Sequence, residues 1–303
     1  MKKALIASTA LILSAGVAAA DVKLSGFART GLDYIETRIP QETVITSRVR
    51  LNVLGTASTD QGVEFGARLR FQWDQGDAAL ERGAPGQVFV TASGLTVAVG
   101  NVGTAFDNAG LIYASDIGLL GRSLGSPIGD FYAYSSKGYG TGNENRVGIS
   151  ATYSVDDLTA RLSYVDPDQT ESTTTEEIGV SVDYKWNDVA LSAAAVKDGQ
   201  GLDGNDQYFL GAAYTLPGTS NTVGLNWIDN NTSDTFTLYG TAEVAPLTTV
   251  TAYVANNDEE TNSTDWAAGI GGAYDLGGAS ILTAIHRDYN KNVIADFGVR
   301  FDF

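Results

Sequence analysis

Short runs of alternating character, joints that are by turns tight and long, and an apolar face too extensive for a soluble core together predict an all-β chain. These 303 residues are expected to close into a transmembrane antiparallel β-barrel of sixteen strands. The composition agrees: 35 glycines against 6 prolines favour many turns and strands over disorder. There is no cysteine, so the fold must rest on burial and backbone hydrogen bonds rather than on disulfides.

Residues 1–20 read as a secretory leader, with Lys2 and Lys3 followed by an apolar run and then Ala18-Ala19-Ala20, and cleavage is expected after Ala20. The mature chain would be 21–303, one barrel domain, and the loss of two lysines leaves 17 basic against 36 acidic side chains, a net charge of about −19. Such acidity argues against nucleic acid as a partner, because a basic stripe would be needed. No other segment approaches eighteen consecutive apolar residues, so no helical span is expected. That leaves barrel strands, which cross a bilayer with about ten alternating residues.

Strand 22–36 sets Val22, Leu24 and Leu32 on one face and Lys23, Ser25, Phe27, Arg29 and Asp33 on the other. Strand 45–57 opposes Ile45, Val49, Leu51 and Val53 to Thr46, Arg48, Arg50 and Asn52. After a polar turn, strand 63–73 opposes Phe65, Leu69 and Phe71 to Glu64, Arg68 and Arg70. Two short strands follow, 86–93 and 95–101, joined at Ser93-Gly94. The later strands come in pairs: 144–154 with 157–166, 177–186 with 188–197, 206–216 with 220–229, 234–244 with 247–256, and 265–276 with 278–288. A last strand, 292–303, closes the count.

Between them, residues 102–143 lack a clean period of two and are rich in glycine, and so long a connection is usually functional. If the first strand starts at the short-turn end, the fifth finishes at the long-loop end, and the sixth must leave from there. The segment therefore cannot cross once, and its apolar stretch 130–136 is expected to return along the wall rather than form a strand. Five strands before and eleven after give the even number that a single-chain bacterial barrel requires. This third loop is expected to fold inward and constrict the bore.

Aromatic residues collect near both strand ends: Tyr153, Tyr184, Trp186, Tyr214 and Tyr274 by the short turns, and Tyr34, Trp73, Tyr164, Trp227 and Trp266 by the loops. They predict two interfacial girdles. Arg29, Arg48, Arg50, Arg68 and Arg70 fall on one face, where lipid exposure near the midplane would cost several kcal/mol each, so they are expected to line the lumen. Opposite them the loop offers Asp107, Asp116 and Asp130, with Arg122 of contrary sign. Opposed charges across a narrow bore would screen solutes by size and charge.

The runs 24–34 (LSGFARTGLDY) and 47–71 (SRVRLNVLGTASTDQGVEFGARLRF), with the closing GGAYDLGGAS and DFGVRFDF, resemble the general-diffusion porins of α-proteobacteria such as Rhodobacter. The resemblance implies an outer-membrane channel of a Gram-negative bacterium for passive diffusion of small hydrophilic solutes and ions. It also implies a sixteen-stranded homotrimer with its third loop in the pore and loop carboxylates facing a basic wall. Phe301 and the terminal Phe303, in phase with Phe297 and Val299, resemble the signal read by the outer-membrane assembly machinery. Other expected partners are outer-membrane lipid and lipopolysaccharide.

Two further readings stay open on the residues alone, a substrate-specific channel and a plugged structural or adhesive barrel. The net acidity leans the expected ion preference toward cations, against the arginines. No cofactor is required; Asp198, Asp203 and Asp206 are a candidate calcium site, as are Asp258, Glu259 and Glu260 in another loop, since Ca²⁺ prefers carboxylate oxygens. Gly121-Arg122-Ser123-Leu124-Gly125 matches a nucleophile motif but lacks the strand–turn–helix context, and the single histidine, His286, lies in another hairpin. The chain is not expected to be an enzyme.

Overall fold

The computed structural model describes residues 21–77, 83–127, 129–139 and 144–303. The expected leader, 1–20, and the end of the inward segment, 140–143, lie outside them. Sixteen strands run in chain order: β1 Asp21–Ile35, β2 Thr43–Ser58, β3 Glu64–Asp74, β4 Gln87–Ala92, β5 Leu95–Gly100, β6 Val147–Val155, β7 Leu158–Asp166 and β8 Glu177–Trp186. They continue as β9 Val189–Lys197, β10 Gln207–Thr215, β11 Thr222–Asp229, β12 Asp234–Ala245, β13 Thr248–Asn257, β14 Trp266–Asp275, β15 Ser280–Arg287 and β16 Val293–Asp302. Each pairs with its sequence neighbour, and β1 pairs antiparallel with β16, so the sheet closes with no free edge. The closure extends to the last residue, where Gly26 and Phe303 exchange both backbone hydrogen bonds.

The strands expected from alternation are therefore present, all sixteen, with limits displaced by a few residues at most. The sixth begins at Val147 rather than 144 because residues 144–146 still belong to the loop. Residues 130–136 form no strand. No α-helix occurs among the described residues; a single 3₁₀ turn spans Gly199–Gly201. Among the described residues no helix is long and apolar enough to cross a membrane.

Tight turns occupy one end of the barrel. Ser93 and Gly94 both have positive φ, 49° and 81°, the backbone of a type I′ hairpin whose twist matches the flanking strands. Asp156, Asn187 and Gly277 serve the next joints in the same left-handed region. Between β12 and β13 that conformation falls on Leu247, at φ 63°, which is unusual for a residue with a bulky side chain.

Burial is inverted relative to a soluble sheet. Along β8, Ile178, Val180 and Val182 are each 46% exposed on the outside, while Glu177 and Ser181 are buried inside. The girdle residues Tyr153, Tyr184, Trp186, Tyr214, Tyr274 and Trp266 are likewise exposed. Apolar exposure repeated on strand after strand marks a surface whose solvent is hydrocarbon.

Candidate functional site

The connection from β5 to β6 turns into the barrel and packs on the inner wall from β7 round to β1. On its outward course Ala105 N–H donates to Ser163 Oγ of β7, Gly110 N–H donates to Asp183 Oδ1 of β8, and Asn226 Nδ2 of β11 donates to the Leu111 carbonyl. Two apolar clusters fasten it there. Phe106, Ala109 and Ile112 pack with Ala194, Val196, Phe209 and Ile228, and Ile117 packs with Tyr239, Tyr253, Ala255, Ala284 and Tyr289. Their burial supplies the hydrophobic drive that a polar loop in a wet bore would lack.

At the far end Leu119 is clasped by the barrel seam. Its N–H donates to Asp296 Oδ1 of β16 at 2.6 Å, and its carbonyl accepts from Arg29 Nη1 of β1 at 2.9 Å. Gly298 makes room, since a Cβ there would stand 2.6 Å from a Leu119 methyl. Arg122 then forks onto both oxygens of Asp33, at 2.7 and 3.2 Å, and Arg38 holds the same carboxylate from the loop side. The return course is pinned strand by strand. Tyr253 Oη of β13 accepts from Leu124 N–H, Tyr289 Oη donates to the Leu124 carbonyl, and Thr237 Oγ1 of β12 donates to Gly125. Gln207 of β10 reaches the Asp130 carbonyl, and Tyr132 N–H donates to Glu177 of β8.

From β1 through β2 to β3 the loop touches the wall at the two sides, through Leu119 to Arg29 and through Tyr134 and Ser136 to Arg68 and Arg70, and the arginines stand on this stretch. Arg29 opposes Arg48 and Arg300 in register, Arg50 opposes Gln72, and Arg70 opposes Asn52. Arg48 is neutralised by an ion pair with Asp74. Arg300 pairs with the exposed Asp302, and Arg50 and Arg70 rest on neutral partners: Arg50 Nε donates to Gln72 Oε1, and Arg70 donates to Asn52 Oδ1 and Ser136 Oγ. Arg68 and Arg70 flank the Tyr134 ring, at 4.1 and 4.3 Å from its centroid. Positive charge on this sector is therefore left largely uncompensated.

Of the three loop acids expected opposite, the structure brings only Asp107 toward the cluster, where the Arg70 charge acts on it and Tyr113 Oη donates to its Oδ1. Burial nonetheless raises its pKa. Asp116 does not face the arginines. Its carboxylate accepts from Ser126 Oγ inside the loop, and burial pushes its pKa up to about 6. Asp130 is exposed and is held through its carbonyl by Asn205 and Gln207, on the side away from β1–β3.

Because Asp116 is more basic in the packed loop than free, the packed state binds a proton that the released state gives up. Packing should then strengthen as pH falls from about 6 toward the ordinary carboxylate range. Limited proteolysis of the loop should slow on acidification from neutral pH in the wild type, and Asp116→Asn should weaken that dependence, leaving the smaller part that Asp107 contributes.

Several contributors were not singled out from sequence. Arg300 and Asp183 could have been found, since strict alternation with Val299 and Phe301, and with Val182 and Tyr184, turns them inward. Asp33, Asp74 and Asp296 are turned inward by the same alternation, although their partners are not legible from it; Tyr134 and Lys137 lie in the aperiodic loop and gave no such signal. Lys137, for example, pairs with Asp77 at 2.8 Å.

Three of the candidate calcium residues are engaged with protein partners. Asp198 accepts from Gly204 N–H and pairs with Lys197, while Asp206 accepts from Asp198 N–H. In the other loop Asp258 Oδ1 accepts from Asp234 N–H. Among the described residues no group of three or more His, Cys, Asp or Glu side chains is arranged to hold a metal. The Gly121–Gly125 motif is equally self-contained: Ser123 Oγ accepts from Ser115 Oγ and Gly125 N–H, and His286 Nδ1 meets Tyr253 Oη instead.

A closed sixteen-strand barrel with a loop on its inner wall finds close counterparts. The Gram-negative porin family model matches residues 7–293. A porin of Fuscovulum blasticum is 43% identical over 293 residues, covering 93% of this chain and all of the relative. The chain belongs to the Gram-negative porins. Solved structures of Rh. blastica porin variants agree. A triple mutant at 43% identity and another at 42% each superpose with a TM-score of 0.89, covering 93% of this chain and all of theirs. The porin accordingly resides in the outer membrane and forms a diffusion channel there, as the sequence resemblance implied.

Proposed function

We propose that this porin is a non-enzymatic, general-diffusion homotrimer whose selective point lies between the loop edge and the bare arginine wall. The observation that carries this reading is the division of the bore. Loop and barrel are bonded from β7 round to Leu119 at β1, while the stretch from β1 through β2 to β3 keeps guanidiniums facing the remaining passage. Arg29, Arg48, Arg50, Arg68 and Arg70, with Asp107 across from them, then form the constriction. Acidic mouths enrich cations and the wall opposes them, which gives a weak net cation preference. A general pore should pass uncharged sugars at rates that fall smoothly with size and do not saturate. Saturable flux for one sugar in proteoliposomes would favour a substrate-specific channel.

The trimer reading draws on the outer wall. Around the short strands β4 and β5 lies a lipid-facing crevice of about 570 Å³, lined by residues such as Phe65, Val88, Val90 and Val97. Seating a neighbouring subunit there would bury a wall too short to span well alone. Val88→Arg should convert the trimer to monomers on unheated gels, and a trimer that survives would place the contact elsewhere. The leader ending at Ala20, and recognition of Phe301 and Phe303 by the assembly machinery, complete the proposal. Both phenylalanines are exposed on the outer face, where such a reader could reach them before insertion.

A further inference from the structure

We propose that three guanidiniums gathered round Phe27, on the periplasmic side of the inward loop, form a binding subsite for a small multivalent oxyanion of the phosphate class. The proposal rests on the channel reading only in that the anion reaches the subsite through the bore.

Phe27 points inward from β1 and is buried. Arg29 lies two residues along the same strand, Arg50 faces Phe27 from β2, and Arg300 comes from β16. Their guanidinium carbons stand 6.0, 5.0 and 4.2 Å from the centroid of that one ring. Arg50 and Arg300 are therefore no more than 9.2 Å apart, the sum of their two distances. Three cations in so small a space repel one another unless something negative lies between them.

The protein supplies little that is negative. Arg300 gives Nε and Nη2 to Asp302, at 3.1 and 2.7 Å, but that carboxylate is 63% exposed and leaves Nη1 and the second Nη2 hydrogen uncommitted. Arg29 spends Nη1 on a neutral carbonyl, and its Nε is buried with no partner. Arg50 gives one of its donors to the Gln72 amide. The nearest further arginine, Arg48, is already matched by Asp74. Each guanidinium carries five N–H donors in a planar fork, and most of these remain available. The Phe27 ring is the contact that all three share and that orients them.

Phosphate-class oxyanions fit this arrangement better than chloride or a monocarboxylate. They carry more than one charge and present several oxygens that accept paired N–H groups from different arginines. The position also suits capture. Strands β1 and β16 begin and end at the short-turn, periplasmic end, and Leu119 covers the triad from the other side through its bond to Arg29.

The test is ³¹P NMR of inorganic phosphate titrated with the full-length protein in detergent, at constant ionic strength set with chloride. Saturable broadening is expected, displaced by sulfate and not by added chloride. The double change Arg50→Gln with Arg300→Gln should weaken binding by about tenfold or more, the range for losing charge-assisted hydrogen bonds. Arg161→Gln, on the covered wall, should leave binding unchanged. Asp302→Asn keeps every guanidinium and removes the competing carboxylate, so it should tighten binding, and it serves if the double variant does not assemble. No broadening with wild type, or equal broadening in the double variant, overturns the proposal. So does weaker binding in Asp302→Asn. Conductance recorded from the same preparation reports separately on the channel reading, because binding is read without current.

Discussion

Gly118→Val should widen the channel, raising single-channel conductance severalfold while the barrel itself stays folded. Gly118 sits at φ 78°, and a Cβ there would stand 2.5 Å from Asp296 Oδ1 and 2.6 Å from the Ala284 methyl. A side chain in the left-handed region costs about 1–2 kcal/mol by itself. The overlap adds to that, and it falls on the carboxylate that clasps Leu119. The loop tip must leave the seam, whereas no strand-to-strand hydrogen bond is touched. Gly121→Asn is the control: its φ of 59° suits asparagine, nothing lies within 4 Å of the added Cβ, and conductance should hold. Equal conductance in wild type and Gly118→Val would mean that the tip at Leu119 does not narrow the passage.

The second large effect is on selectivity. Replacing Arg48, Arg50, Arg68 and Arg70 together by serine should move the reversal potential in a salt gradient further toward cations. Three of the four have no carboxylate to leave behind, and loss of Arg48 frees Asp74 as an added negative charge on the bare wall. Conductance and barrel stability should change little, since the strands are held by their ladders and these side chains border water. A reversal potential that does not move would remove those arginines from the constriction.

How far these residues could be read from sequence depended on distance along the chain. Alternation alone turned Arg48 and Arg50 inward and Ile45 and Val49 outward, because period two decides faces without knowledge of partners. Parity placed both ends of the central segment at the same rim. What alternation does not give is the height of a side chain relative to strands far away in sequence. Arg29 meets Leu119 across 90 residues and Leu119 meets Asp296 across 177, so neither contact leaves a local trace. Nor is the inner wall polar throughout: Val196, Phe209 and Ile228 point inward and are buried under Phe106 and Ile112. Those apolar residues were the sequence's record of where the loop packs. Asp116 shows the reverse failure: an acid in a pore loop looks like a pore charge until Ser126 is found on its carboxylate.

Single-channel recording of the detergent-purified wild-type protein in a planar bilayer tests the central claim most directly. A trimeric diffusion pore narrowed by its own loop predicts large ohmic openings in groups of three, with a small reversal potential of cation sign in a salt gradient. An electrically silent barrel, or small currents blocked by one particular solute, would contradict it.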